Sequence, residues 1–263
     1  MSSGEATALR PSAARIYGLE ARYEFLKLLR MPAYAIPTLT FPVMFYALFG
    51  VVFRSQGAGS VTMATYLLAT YGAFGVIGAA FFGFGVGFAV ERGQGWMLLK
   101  RATPMPPMAL FVAKLFMCTI FAAAIVALLG TLAATLGGVR LPAASWLALS
   151  ATLIVGSLPF CALGLALGYL VGPNAAPAIV NLVYLPMAFA SGLWIPIEAL
   201  PSLVKTVAPF LPAYHLGQLA LRAVGAGLGA PAWTHVTALA GFTVIGLAVA
   251  VWGYWRDEDR MFG

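Results

Sequence analysis

The chain has 263 residues, of which 62% are hydrophobic and 9% charged, with a formal net charge of +7. No soluble domain of this size can hide so much apolar surface, so an ordinary water-soluble enzyme or binding module is excluded. The positive balance reads as membrane topology, and a nucleic-acid partner is not called for.

Met1 to Arg30 is polar and lacks the short positive leader and apolar stretch of a signal peptide. Within it, Ala14 to Arg30 sets Ile16, Leu19, Tyr23 and Leu26 at spacings of three and four, with Glu20, Glu24 and Lys27 on another face. This predicts an amphipathic helix on the membrane surface, stopped by Met31 and Pro32. A mere basic anchor is the plainer alternative.

A bilayer core about 30 Å thick requires roughly 20 apolar residues per spanning helix. Residues 33–53 and 62–90 carry no charge and give the first two spans. The third, 108–136, contains Lys114 near its start, where a long side chain is expected to snorkel to the interface. The fourth is 146–171; a Gly172-Pro173-Asn174 turn then leads to a fifth at 178–194, and the sixth is 233–255. The expected fold is therefore all-α and polytopic: residues 1–32 before the membrane, a six-helix domain over 33–255, and a tail at 256–263.

With the amino terminus inside, Arg10, Arg15, Arg22, Lys27, Arg30, Arg92, Lys100, Arg101, Lys114, Arg256 and Arg260 fall on the cytoplasmic side. Only Arg54, Arg140, Lys205 and Arg222 fall outside, so both termini are expected in the cytoplasm. Tyr34, Trp146, Trp194, Trp233, Trp252 and Trp255 lie near span ends, where amphipathic rings favour the headgroup level.

Two segments between spans are unusual. In the loop from Glu91 to Pro107, Gly93 and Gly95 can break the preceding helix, and Pro104, Pro106 and Pro107 end whatever follows. Its mixture of Arg92, Trp96, Lys100 and Arg101 suits docking on a soluble partner. The stretch from Ser191 to Arg222 is too apolar for a solvated loop, while Glu198, Lys205, Pro209 and Pro212 disqualify it as a full span. It is expected to form short re-entrant or interfacial helices, or else a non-helical cap.

Gly83, Gly85 and Gly87 lie in an apolar span, where small residues permit close helix packing, an option Gly164 and Gly168 share. His215 and His235 have no ligating neighbours at metal spacing, and Cys118 and Cys161 lie within spans; all four read as packing residues.

Phe41, Pro42, Phe45, Tyr46 and Gly50 in the first span, the Glu91-Arg92-Gly93 to Pro104 loop and the Ser191-Gly192 to Pro212 segment together resemble the membrane subunit of type-2 ATP-binding-cassette exporters (ABC-2 type permeases). The resemblance covers essentially the whole chain. It implies a bacterial inner-membrane permease in which Ala14 to Arg30 is the connecting helix and Glu91, Arg92, Gly93, Trp96, Lys100, Arg101 and Pro104 couple to the ATPase. It further implies two ATP-binding-cassette subunits carrying ATP and Mg, and a second membrane subunit, expected to be identical. No Lys follows a Gly, so this chain has no Gly-Lys-Ser/Thr phosphate loop and binds no cofactor on this reading. An apolar path through Phe45, Tyr46, Tyr184 and Met187 would suit a drug, lipid or glycolipid, although such residues more often face lipid or packed neighbours. An ATP-independent channel or ion-coupled carrier is the rival; it would ordinarily need ionisable groups within the spans, which are almost uncharged.

Overall fold

The computed structural model describes residues 12–30, 32–96, 106–227 and 229–262. Among these the chain is almost wholly helical. α1 (Ala13–Leu29) precedes α2 (Pro32–Phe45), whose last turns widen into a π-helical segment, Tyr46–Val51. A small antiparallel hairpin, β1 (Gly57–Ala58) and β2 (Val61–Thr62), leads into α3 (Met63–Ala80). α3 continues through a second π-helical segment, Phe81–Val86, into α4 (Gly87–Gly93) as one rod. Then come α5 (Pro107–Thr135), α6 (Ala143–Gly156), α7 (Leu158–Leu170), α8 (Ala176–Ala190), α9 (Ser202–Val207), α10 (Pro212–Ala223) and α11 (Ala232–Phe262).

Among the described residues, five rods are long and apolar enough to cross a membrane: 34–51, 63–93, 108–135, 143–170 and 232–256. The expected fifth span is shorter than its hydropathy suggested. α8 has 15 residues, about 22 Å at 1.5 Å per residue, which falls short of the roughly 30 Å hydrocarbon core. The rod 143–170 breaks at Ser157 because Pro159 has no N–H to continue the helical ladder. The Ser157 hydroxyl donates to the Ile154 carbonyl at 2.7 Å. Beside this break the Cys118 and Cys161 thiols are buried, free and 3.1 Å apart.

α3 is the axis of the bundle, with nearly every residue buried. Lipid tails are as apolar as the side chains, so tight van der Waals contact and not water exclusion holds such helices together. The expected small-residue packing occurs where Gly85 meets α7. A Cβ on Gly164 would lie 3.1 Å from the Ala80 carbonyl oxygen, and one on Gly168 3.0 Å from that of Phe84. Gly87 takes no part, since a Cβ there meets nothing closer than 3.6 Å. On the other side of α7, α11 lies equally close: Gly246 abuts the Ala162 backbone and Gly253 the Tyr169 ring.

The segment after α8 is helical in pieces. Two 3₁₀ turns, Ile197–Ala199 and Ala208–Phe210, flank α9 and lead into α10, which packs against α3, α6 and α11. Two histidines tie it to α11. His215 Nε2 donates to the Pro209 carbonyl at 3.0 Å, so its Nδ1 accepts from His235 Nδ1–H, also at 3.0 Å. Burial pushes His215 below the ordinary histidine pKa, against a smaller opposing pull from the Pro209 carbonyl.

Two outcomes follow. Gly164→Leu should overpack the α3–α7 contact by about 1–3 kcal/mol and lower the melting midpoint of the detergent-solubilised protein by several degrees, whereas Gly87→Ala should leave it nearly unchanged; fluorescence-detected size-exclusion after heating reads both. As pH falls below about 6.5, the opened α10–α11 contact takes up protons before the closed one does, so closure weakens with acidification. Hydrogen exchange of the α10 amides, corrected for the intrinsic pH dependence, should accelerate in that window and not above it.

Candidate functional site

The rod α3–α4 ends where the sequence places the Glu91-Arg92-Gly93 motif, and each of the three residues engages a different neighbour. The Glu91 carboxylate accepts from Lys114 of α5 at 2.9 Å and from Lys27 of α1. Lys27 also bonds Glu24 one turn away at 2.7 Å, and Lys114 lies 3.5 Å from Glu24. Among the described residues the four groups form a neutral ring of two carboxylates and two ammoniums. Burial would lower the Lys27 pKa, but the Glu91 and Glu24 carboxylates outweigh it and hold it above the ordinary lysine value. Arg92 donates to the Val171 carbonyl at the end of α7 at 2.9 Å. Gly93 lies under the Pro173 ring, where a Cβ would come 2.5 Å from Pro173 Cγ. Gly95 then turns the chain out of the helix at φ +75°, a conformation that glycine adopts without strain.

One sequence expectation is corrected here. Lys114 does not snorkel to the interface; it is 5% exposed and held by two carboxylates. In α1, Glu24 is buried and Lys27 and Phe25 are half-buried against the protein, while Leu19 and Tyr23 are exposed, Tyr23 at 64%. A buried charge needs a partner more than an apolar side chain needs protein contact, because lipid can serve the latter. Glu91, only 9% exposed, is an internal brace, whereas Trp96 at 50% stands open at the start of the loop. Lys100, Arg101 and Pro104 lie outside the described residues.

Of the residues expected along an apolar path, Phe45 and Tyr184 line a cleft of about 430 Å³ between α2, α3 and α8, together with Tyr34, Phe74, Asn181 and Trp194. The Tyr184 hydroxyl donates to the Phe74 carbonyl at 2.7 Å, and the two rings stack at 4.8 Å. A second cleft of about 440 Å³, with Phe49, Phe53, Gln56 and Tyr71, adjoins it towards the hairpin. Tyr46 and Met187 line neither. Tyr46 is fully buried with its hydroxyl on the Ala64 carbonyl, and Met187 packs in the core. Tyr34 and Trp194, read from sequence as lying near span ends, line the clefts. Sequence reading missed the roles of Glu24, Lys27 and Lys114, although a lone lysine inside an apolar span is itself a signal that a carboxylate is near.

A sequence profile described as ABC-2 type transporter matches residues 18–224, from within α1 to just past α10, with α11 beyond the match. The chain is also 25% identical over 222 residues to the Bacillus subtilis (strain 168) protein named "Putative transport permease YvfS", covering 84% of this chain and 90% of that one.

Removing one member of a buried ion pair leaves an uncompensated charge, worth about 3–5 kcal/mol. Glu91→Gln should therefore lower the melting midpoint by about 5 °C or more. Combining it with Lys114→Met leaves a neutral Glu24–Lys27 pair and should recover most of the loss, a coupling that a double-mutant cycle measures directly.

Proposed function

The chain belongs to the ABC-2 type transporter family, and from that premise we propose that it is the membrane half of an ATP-driven exporter of apolar or amphipathic cargo. Two copies would pair with two ATP-binding-cassette subunits, which bind ATP and magnesium while this chain makes and breaks no bond. The observation that carries the reading is the threefold anchoring of residues 91–93. A displacement of the loop that begins at Gly93 reaches α1 and α5 through Glu91, α7 through Arg92 and the 172–175 turn through Pro173. A loop with only a topological role needs no such root.

In this proposal the α1 end is cytoplasmic, as the lysine and arginine distribution favours, and the membrane is the bacterial inner membrane. Trp96, Lys100, Arg101 and Pro104 meet the ATPase, and Glu91, Arg92 and Gly93 pass its motion inwards. α2, α3 and α8 then change spacing, opening the aromatic clefts alternately to the two sides. Phe45 and Tyr184 contact cargo, and Tyr46 and Met187 hold the walls behind them. Rings on three sides and few polar groups suit a drug, lipid or glycolipid body.

Affinity purification of the solubilised chain tests the reading. Co-purification of an ATP-binding-cassette subunit, with ATPase activity in the complex, is the expected result; recovery of the chain alone, with ATP-independent transport after reconstitution, would favour a channel or carrier. Reversing Lys100 and Arg101 together to glutamate should abolish ATP-driven transport while leaving membrane insertion and the melting midpoint intact.

A further inference from the structure

Phe45 and Trp194 are the residues common to the linings of both clefts. Their rings stack at 5.9 Å with an interplanar angle of 29°, and Phe74 closes edge-on against the same indole at 5.6 Å. The pair is therefore the neck between an inner and an outer compartment. Its position is set by the backbone. α8 ends in a turn in which Gly192 takes φ +75°, Gly192 N–H bonds the Phe189 carbonyl and Leu193 N–H bonds the Ala188 carbonyl. Two residues on, the Trp194 carbonyl accepts from the Tyr71 hydroxyl at 3.5 Å. The indole is thus pinned through its main chain, yet its Nε1–H is buried and has no hydrogen-bond partner among the described residues. Buried indole N–H groups ordinarily find an acceptor, because leaving a donor dry is unfavourable.

We propose that Trp194 is the specificity-determining residue of the path: its indole N–H is a donor held in reserve for an acceptor oxygen of an elongated amphiphile passing the Phe45–Trp194 neck. The inference rests on the cargo-path reading given above and names the chemistry that path selects. An acceptor such as a ketone, ester or ether oxygen, set between two apolar parts, would satisfy the N–H while its apolar arms occupy the compartments on either side. Cargo that parts the Phe45–Trp194 stack would reach the donor, and a purely apolar molecule gains no hydrogen bond there. Gln56 of the outer compartment and Thr38 and Asn181 of the inner one supply few other polar contacts for the body of the molecule.

The test needs neither an ATPase nor transport, so it fails separately from the exporter reading. The full chain, labelled with ¹⁵N at tryptophan and held in detergent micelles, shows an indole N–H signal for Trp194 that is assigned by its loss in Trp194→Phe. Dodecanophenone is the probe, and dodecylbenzene is its counterpart without the carbonyl. The ketone should move the Trp194 indole proton downfield and the hydrocarbon should not. Trp194→Phe should weaken ketone binding about three- to tenfold more than it weakens hydrocarbon binding, the range of one net hydrogen bond. The proposal is overturned if the ketone leaves the Trp194 signal in place. It is equally overturned if that signal already sits at the hydrogen-bonded position without probe, which would mean that water or a second copy of the chain occupies the donor.

Discussion

Charge in an apolar molecule has few places to go, and this fold is organised around the place it was given. Glu24, Lys27, Glu91 and Lys114 come from α1, from the end of the α3–α4 rod and from α5, and they neutralise one another within a single cluster. Each carboxylate touches both ammoniums, so loss of the α3–α4 rod or of α5 would strand a charge, whereas α1 carries its own neutral pair. Desolvation makes such a cluster a poor source of net stability but a strong source of uniqueness, because alternative packings of the same apolar helices would leave the charges unpaired. The ring decides which face of α1 turns inwards and fixes the point from which the 91–93 exit projects.

From there the structure reads outward. The ring fixes the foot of the α3–α4 rod, the rod carries the glycine surface on which α7 sits, and its other faces meet α2, α5 and α10. The aromatic clefts arise where α2 and α8 fail to close over that rod. α8 is too short to span the bilayer alone, and the turn that ends it brings Trp194 back over the opening. Shortness and turn act together, leaving a gap and placing a side chain across it.

Much of this was legible in the sequence, and what was not has a common cause. Long uncharged runs reveal spans because the bilayer demands length and apolarity, and both are local properties. The glycine contacts were half visible: spacing marked Gly85, Gly164 and Gly168 as candidates but equally marked Gly87, which faces no neighbouring helix at close range. Partnership is not local. Lys114 could be seen only as a charge near a span end, and Glu24 and Lys27 only as the charged face of an amphipathic helix, because Glu91, which joins Lys27 to Lys114, lies 64 and 23 positions from them. Trp194 shows the same limit. Its distance from a span end suggested a headgroup anchor, whereas the left-handed glycine two residues earlier redirects it into the protein. The Glu91-Arg92-Gly93 stretch could be singled out in the sequence, although its three contacts could not.

The seating of α11 on α7 bears on how the protein is made. Every other described helix precedes α11 in the chain, and the family match stops short of it, yet its glycines lie against the Ala162 backbone and the Tyr169 ring. While the chain emerges from the ribosome, that face of α7 must wait against lipid until the closing helix arrives. Biogenesis therefore has a late, vulnerable interval, and an insertion delay or a premature stop within α11 would expose a quality-control protease to an otherwise assembled bundle with one wall missing.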